Sequence, residues 1–546
     1  MTKKTLKIMK SEKENCNITL WWLFITVGLA VTLVGLWGCR PRSVKRVNRE
    51  HADTVPEEFE RLTRRIDFSE IDFGFPANPH LSRKRAEEDL DELEWLLENR
   101  YSYLKLKGVD YKAALDSIRT SLGDGIRRVS FGYQLAKFIA LFGDGHSRIA
   151  SPSVRLRSLC SGFLPFLVEE SDGRLVAFKP DRSDFVDPNF PFLQALDGVV
   201  IDSWLQAASQ FVARGSPQFL RYNSIRNLRY IECLRKELGL NNSMSVRVEL
   251  TSADGSRTKQ MELPLTKERP IYGFWPRPEV EIKLLEDIRV ESRILPQNIG
   301  YLRIIASLSE PEFLDGLVEA MNQFEDTDGL IIDIRKGIGG TRAPLRVLFP
   351  FFMAQNDLPH VVNVATYRLG TRNRKEEFEG RYLYRASSPH FSKTEQATVA
   401  QFADKFQPEW VPPTEEFSQW HYFVISPSKD KRYYYYDKPV VILMDTWNFS
   451  AWDIFLGALK GWRNITLMGQ PSGGGSGCRE SYRLGNSQIE IRLSSMASFQ
   501  PNGKLYDGNG IQPDVVIEPI PTDFIGKTDS ILQAAIQRLQ KKDIEK

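Results

Sequence analysis

Residues 440–462 read VVILMDTWNFSAWDIFLGALKGW, and this stretch decides the fold. The apolar run from Val440 to Met444 is typical of a buried strand. Ser450 follows it and is itself followed three residues later by Asp453, a pairing that favours the start of a helix at the serine. The segment therefore predicts a strand that leads through a polar turn into a helix.

From about residue 298, the segments on the N-terminal side of this unit also alternate between strand patterns and helix patterns. The segments IGYLRI (299–304) and GLIIDIR (329–335) predict strands, and residues 311–324 between them predict a helix. Strands that alternate with helices indicate a largely parallel α/β sheet. Because functional sites in such sheets collect at the carboxyl ends of strands, Ser450 lies where a site is expected.

Ser450 has two interpretations at this point. It is either a helix cap paired with Asp453 or a nucleophile whose negative charge is stabilised by helix-terminal N–H groups. A cap needs no further groups, whereas a serine nucleophile needs a base and oxyanion donors.

Three other segments offer candidates for those groups, and each has a structural alternative. The loop with Gly337, Gly339 and Gly340 brings backbone N–H groups close to a ligand, or is a tight turn after a strand. His146 in LFGDGHSRI is a candidate base, or packs a domain junction. Asp507 in YDGNG orients an imidazole, or is a turn residue.

Six segments in order resemble the tail-specific or C-terminal processing serine protease family, which also includes the tricorn core protease and interphotoreceptor retinoid-binding protein. They are DGHS, IGYLRI, GLIIDIRKGIGG, VVILMDTWNFSAWDIF, LMGQPSGGGSG and DGNGIQPDVVI, and the likeness spans about residues 83–520. The resemblance implies an α/β fold with a ClpP/crotonase-like catalytic core. It also implies that Ser450 is the nucleophile and that the N–H groups of Ala451 and of Gly339 or Gly340 form the oxyanion hole.

The chain departs from the C-terminal processing branch at position 475. That branch has a lysine base there, and this chain has Gly475. The tricorn-like branch takes its base from the DGH motif, which implies His146 as the base and Asp507 as its acidic partner. An imidazole with a pKa of about 6.5 suits this role at neutral pH. The tract 355–435 has no assigned structure, and His360, His390 and His421 within it remain alternative bases.

The resemblance also divides the chain into regions. Residues 83–150 are expected to form an N-terminal helical domain, and 151–292 a degenerate PDZ-like β-rich domain with a helical insertion. Gly162 and Phe163 lie in its expected carboxylate-binding loop, although the insertion leaves either peptide binding or a packing role open. The catalytic core covers 293–522, and a C-terminal helix covers 523–546.

The first 39 residues predict a signal or membrane anchor, and residues 40–82 a tether. Residues 18–38 carry no charge, and at about 1.5 Å per residue they cover a bilayer core of roughly 30 Å. Cys39 then follows the apolar run, as the acylated cysteine does in a lipoprotein signal. The segment is therefore either a lipoprotein signal or an uncleaved signal anchor. A third interpretation is that the body of the protein lies in the cytoplasm. We expect an exported protein anchored to the membrane of a bacterial periplasm or cell envelope.

The composition further narrows the range of possible functions. A net charge of +3 without a basic stripe does not favour nucleic acid, and the five scattered cysteines offer no CxxC metal motif, so we expect neither metal nor cofactor. The sequence predicts a membrane-tethered serine endopeptidase that cleaves peptide or protein substrates through an acyl-enzyme. The alternatives are a non-catalytic ligand- or peptide-binding protein on the same scaffold and, third, a serine hydrolase for non-peptide acyl groups. The oligomeric state is unknown.

Overall fold

The structure is a computed structural model that describes residues 79–151, 154, 156–272, 290–371 and 380–541. The predicted anchor (1–39) lies outside these residues, and so does all but the last part of the predicted tether (40–82). Within the described ranges, no helix has both the length and the apolar character needed to cross a membrane.

The elements are numbered in chain order, helices and strands separately. The helices are α1 (Arg83–Arg100), α2 (Leu104–Lys107), α3 (Tyr111–Ser121), α4 (Arg128–Ala140), α5 (Leu156–Leu159), α6 (Ile201–Ser209), α7 (Pro217–Asn227), α8 (Ile231–Glu237), α9 (Pro311–Gln323), α10 (Ala343–Leu348), α11 (Lys393–Ala403), α12 (Ala451–Leu459) and α13 (Ser530–Lys541). The strands are β1 (His80–Ser82), β2 (Gly125–Arg127), β3 (Arg148–Ile149), β4 (Leu167–Ser171), β5 (Arg174–Phe178), β6 (Phe192–Leu196), β7 (Val199–Val200), β8 (Ser245–Thr251), β9 (Thr258–Pro264), β10 (Glu291–Leu295), β11 (Ile299–Arg303), β12 (Gly329–Asp333), β13 (His360–Tyr367), β14 (Tyr384–Arg385), β15 (His421–Ile425), β16 (Val440–Met444), β17 (Ile465–Gly469), β18 (Arg479–Arg483), β19 (Glu490–Ser494), β20 (Met496–Phe499) and β21 (Val515–Val516).

The predicted α/β sheet is present with strand order β10-β11-β12-β16-β17-β21. All of its pairings are parallel except that of β10 with β11. β11, β12 and β16 are buried throughout because helices cover both faces of the sheet. One face packs against α9 and α12, and the other against α13. The loop after β12 and the turn after β16 consequently lie side by side at the carboxyl edge of the sheet.

The N-terminal helices share a hydrophobic core with the C-terminal half of the chain. Leu90, Leu93, Leu96 and Leu97 of α1 are all buried, as their helical spacing predicts. The core that contains them also includes side chains from β13, β15, β19 and β20. β13, β14, β15 and β20 form a second sheet, which gives a structure to the described part of the tract 355–435 that had none from sequence. The region 83–150 therefore packs as part of a larger unit.

The region after residue 160 folds as an antiparallel sheet with three helices. Its strand order is β4-β5-β6-β8-β9, with β7 paired to β6. Asp172 and Gly173 both have positive φ and join β4 to β5, which confirms the hairpin predicted at this pair. α7 and α8 form the predicted helical insertion between β7 and β8.

Candidate active site

Ser450 occupies a strained turn between β16 and α12. Its backbone has φ 67° and ψ −113°, a conformation that a residue with a side chain rarely adopts and that costs about 1–3 kcal/mol. The Ser450 N–H donates to an Asp453 carboxylate oxygen (2.9 Å) and to the carbonyl oxygen of Gly475 (2.8 Å). The Ser450 hydroxyl makes no capping bond and lies 3.3 Å from Nε2 of His146. The backbone of Ser450 thus supports the helix start, and its side chain is left for other chemistry.

His146 reaches this serine from the turn between α4 and β3. Its backbone N–H donates to Asp144 (3.1 Å), and its ring packs against Phe449 with the ring centres 4.7 Å apart. Burial lowers the pKa of His146 well below its ordinary value, and the positive charges of three nearby arginines lower it further. The imidazole is therefore neutral at physiological pH and able to accept a proton.

Asp507 and Asp144 lie next to this imidazole. Ligand atoms of Asp144, His146 and Asp507 all fall within 4.8 Å of one another, a spacing that could also hold a metal ion. His146 Nδ1 and one oxygen of each carboxylate are buried without a hydrogen-bond partner in the described part of the chain. Burial raises the pKa of Asp507 to about 7, and the neighbouring Asp144 carboxylate adds to the rise. The three groups form one buried titratable cluster beside Ser450.

Two residues of this cluster were not expected from sequence as functional groups. Tyr103 donates its hydroxyl proton to Asp507 (2.6 Å), and the N–H of Ser476 donates to the same oxygen (3.2 Å). Asp144 accepts bonds from the Ser494 hydroxyl (2.6 Å) and from the backbone N–H of His146. The DGH motif contains Asp144 and could have signalled it, whereas no local pattern marks Tyr103.

The two predicted sources of oxyanion donors meet at the serine. A Cβ added to Gly339 would lie 3.3 Å from Cβ of Ser450 and 3.7 Å from N of Ala451, so these backbones are in close approach. The N–H groups of Gly339, Gly340 and Ala451 have no acceptor within the described residues. The Ala451 N–H also begins α12, where the helix dipole favours negative charge. These groups are able to hold a developing oxyanion.

The space that a lysine at position 475 would need is filled. A Cβ on Gly475 would lie 2.3 Å from the Phe449 ring and 3.2 Å from Asp507. Phe449 in turn packs against Phe219 of the helical insertion, with 5.3 Å between ring centres. The Phe449 ring therefore leaves no room for a side chain at Gly475. His146 packs on the same ring, and its imidazole lies beside Ser450.

Asp453 has a larger role than that of a helix cap. Its buried carboxylate also accepts bonds from the Ser472 hydroxyl (2.5 Å) and the N–H groups of Gly474 and Gly475 (3.2 and 3.0 Å). Burial raises its pKa to about 7. Asp453 consequently ties the turn that carries Ser450 to the glycine-rich turn after β17.

The other candidate histidines have different neighbours. His360 packs on Phe349 and Trp462, with ring centres 5.9 and 5.0 Å apart. His421 lies in β15, where burial lowers its pKa to about 4. His390 stacks on Tyr384 at 4.4 Å. Of the described histidines, His146 is the one in hydrogen-bond range of Ser450.

The predicted carboxylate-binding loop is separate from the catalytic cluster. Phe163 packs with Cys160, Tyr230 and Cys233, and its N–H donates to the carbonyl oxygen of Thr266 (2.9 Å). Gly162 packs closely against Glu232, whose carboxylate accepts a bond from the Ser161 N–H (2.7 Å). The structure therefore does not bring Gly162 or Phe163 to the group around Ser450.

Comparison with known proteins agrees with the strand-turn-helix unit and its neighbouring loop. Residues 298–517, which contain Ser450, Gly339 and Asp507, match the model of Peptidase family S41. This part of the chain is similar to the S41 peptidases. This match supports a serine-type peptidase and agrees with the family resemblance of the motifs.

Three further comparisons are with one curated relative and two solved structures. The carboxy-terminal-processing protease of Bartonella bacilliformis is 33% identical over 91 residues, which are 16% of this chain and 21% of that protein. The chain thus matches about a fifth of the length of this curated relative. The crystal structure of mature CPAF aligns over 84% of this chain and 98% of its own, with 16% identity and a TM-score of 0.56. Mature CPAF complexed with lactacystin covers 84% and 97%, also at 16% identity, with a TM-score of 0.54. At these identities the likeness shows a shared fold.

Proposed function

We propose that this protein is a serine endopeptidase that cleaves peptide or protein substrates through an acyl-enzyme, with His146 as the base. The observation that carries the proposal is the 3.3 Å contact between His146 Nε2 and the Ser450 hydroxyl. A general base has to reach the proton it removes, and contacts of this kind are often longer before substrate binds.

The chemistry follows from the groups around this contact. Ser450 attacks the scissile carbonyl carbon while His146 accepts the hydroxyl proton, and His146 later donates that proton to the leaving amine. The N–H groups of Ala451 and of Gly339 or Gly340 stabilise the oxyanion. Asp507 stabilises the imidazolium that forms in between. Water then repeats the sequence on the acyl-enzyme and releases the second product.

A fluorophosphonate probe tests this proposal because it reacts readily with an activated serine. The wild-type protein should be labelled and Ser450→Ala should not. Ser256→Ala is a control, since this exposed serine lies between β8 and β9 and its hydroxyl donates to Asp254. Equal labelling of wild type and Ser450→Ala would assign the reactivity to another residue. Folded wild type that is not labelled would favour the non-catalytic binding protein.

We also propose that the N-terminal segment exports the body of the protein and tethers it to the membrane. The uncharged stretch 18–38 and the following Cys39 support this proposal. In inside-out membrane vesicles, which enclose the native exterior, the body should be protected from added protease. Digestion of the body would refute export. If the protein is a lipoprotein, Cys39→Ser should abolish lipid labelling, and persistent labelling would exclude this cysteine as the acylation site.

A further inference from the structure

Two free cysteines lie together in one small cluster beside the antiparallel sheet that begins with β4. Cys160 precedes β4 and Cys233 lies in α8, and both pack with Phe163 and Tyr230. The two cysteines are 9% and 7% exposed, and both are free thiols. A buried cysteine often acts as a small apolar residue, so packing alone is one explanation for each of them. A bond between the two thiols is the other.

The chain segments that carry the two cysteines run beside each other. The Ser161 N–H donates to the Glu232 carboxylate (2.7 Å), and the Ser161 hydroxyl donates to the same group (3.1 Å). Ser161 directly follows the first cysteine, and Glu232 directly precedes the second. The Leu164 N–H donates to the carbonyl oxygen of Arg229 (3.1 Å), which joins the segments at a second point. These bonds hold the two cysteines close to each other.

The thiols share a neighbour and contact each other. The Cys160 thiol donates to the carbonyl oxygen of Tyr230 (Sγ to O, 3.9 Å), and the Cys233 N–H donates to the same oxygen (3.1 Å). A hydrogen bond with the Cys160 thiol raises the pKa of Cys233, and burial raises it further. Close approach of the two side chains is the first requirement for a disulfide bond.

The surroundings of the pair are those of a structural disulfide. Ser158 and Ser161, on either side of Cys160 in the chain, are exposed, so an oxidant can approach this cysteine. The thiol of a redox sensor has a lowered pKa and is present as the reactive thiolate at neutral pH. Cys233 has a raised pKa instead. A bond formed while the chain folds would therefore persist in the folded protein.

We propose that oxidation joins Cys160 and Cys233 in a disulfide bond. The Cys160 thiolate attacks a disulfide oxidant, such as oxidised glutathione or a thiol oxidoreductase, and releases one thiol of that oxidant. The Cys233 thiolate then attacks the Cys160 sulfur of the mixed disulfide and releases the second thiol. The pair loses two protons and two electrons, and the oxidant gains them. The bond would tie the segment before β4 to α8.

This disulfide site goes beyond the proposed peptidase activity. Its formation in the cell rests on the proposed export, because disulfides form and persist in oxidising compartments and are rare in the cytosol. The chemistry of the pair can be measured apart from location when the full-length protein is synthesised in a cell-free system. One reaction contains an oxidising glutathione buffer, and a parallel reaction contains a reducing one.

Peptide mapping of the cell-free protein tests the bond directly. Free thiols are blocked with N-ethylmaleimide under denaturing conditions, and a tryptic digest is analysed by mass spectrometry without reductant. Trypsin releases Cys160 in the peptide 158–174 and Cys233 in the peptide 230–235. We expect these two peptides to be joined after oxidising synthesis and separate after reducing synthesis. Alkylation of both cysteines after oxidising synthesis, or a bond from either to another cysteine, would overturn the inference.

Variants distinguish a bond from the packing of two cysteines. Cys160→Ser and Cys233→Ser should each lose the joined peptides, whereas Cys478→Ser should keep them because Cys478 lies in a different core. The oxidised wild type should melt about 5–15 °C above the reduced protein. In Cys160→Ser the two preparations should melt at the same temperature, since packing does not depend on the glutathione buffer. A redox-dependent difference that persists unchanged in Cys160→Ser would refute a stabilising bond.

Thiol trapping in cells separates this inference from the proposed export. N-ethylmaleimide is added to intact cells before lysis, and the same peptides are mapped. A bond that forms in the oxidising cell-free reaction but is missing in cells would retain the disulfide site and refute export to an oxidising compartment. A bond missing from both would refute the site, while protection of the body in inside-out vesicles would still support export.

Discussion

Substituting Asp507 by asparagine should make the protein more stable and less active. Asp507 is 2% exposed, and burial together with the Asp144 charge raises its pKa from 3.8 to about 7. Between pH 3.8 and about pH 7, the Asp507 carboxyl is deprotonated in the unfolded chain and protonated in the folded chain. The folded state thus binds more protons, so the free energy of unfolding falls as pH rises through this window.

The size of the effect follows from the two pKa values. A rise from 3.8 to about 7 corresponds to about 4 kcal/mol of stability lost by pH 8. The asparagine side chain of the variant does not ionise, and its amide oxygen can still accept the bonds from Tyr103 and Ser476. Asp507→Asn should therefore match wild type near pH 4 and exceed it by up to about 4 kcal/mol at pH 8.

The reactivity of Ser450 should fall in Asp507→Asn although the stability rises. An asparagine amide can donate to Nδ1 of His146 and would leave the ring proton on Nε2, where it cannot accept the proton of Ser450. The labelling rate should fall by about 10² to 10⁴, comparable to or less than the loss for His146→Ala.

Melting temperatures from pH 4 to 8 and fluorophosphonate labelling rates measure the two effects. Asp254→Asn is the control, because hydrogen bonds from Ser252 and Ser256 lower the pKa of this exposed aspartate, and its contribution has the opposite pH dependence. A variant that is less stable than wild type at pH 8, or that keeps the wild-type labelling rate, would refute the reasoning.

Three further predictions concern the base. His146→Ala should lower the labelling rate by about 10² to 10⁴ while His421→Ala leaves it near wild type, and the reverse order would identify another base. The wild-type labelling rate should rise with pH through a pKa below 6.5 and stay level above neutral pH, because burial and nearby arginines lower the pKa of His146; a rise centred well above pH 7 would contradict this. Gly475→Lys should not restore His146→Ala, because the Phe449 ring fills the position of the new side chain. Recovery of labelling in the double variant would show that a lysine can act there.

The local structure around the site was predictable because it depends on short-range patterns. The apolar run before Ser450 forms β16, and the serine with Asp453 at the start of α12 follows from the capping pattern. The Asp172-Gly173 hairpin follows from the same kind of short-range rule. The sequence order of the motifs likewise indicated a resemblance to tail-specific serine proteases, and residues 298–517 match the model of Peptidase family S41.

Packing between segments that are distant in sequence decided the other contacts of the site and the fold of the tract 355–435. Tyr103 and Asp507 are 404 residues apart, yet they form one buried hydrogen bond, and no periodicity in either segment encodes that contact. The tract 355–435 had no assigned structure from sequence. Its strand β13 pairs with residues 496–499, far along the chain, and also with β15, which lies more than 50 residues after it.

By itself, the sequence determined the strand-turn-helix unit, the nucleophile candidate and the absence of a lysine at position 475. Only the tertiary structure selected His146 from the candidate histidines, by placing its imidazole beside Ser450. The physical reason is that proton transfer and charge pairing depend on distances of a few ångströms, which long-range packing sets and local sequence does not.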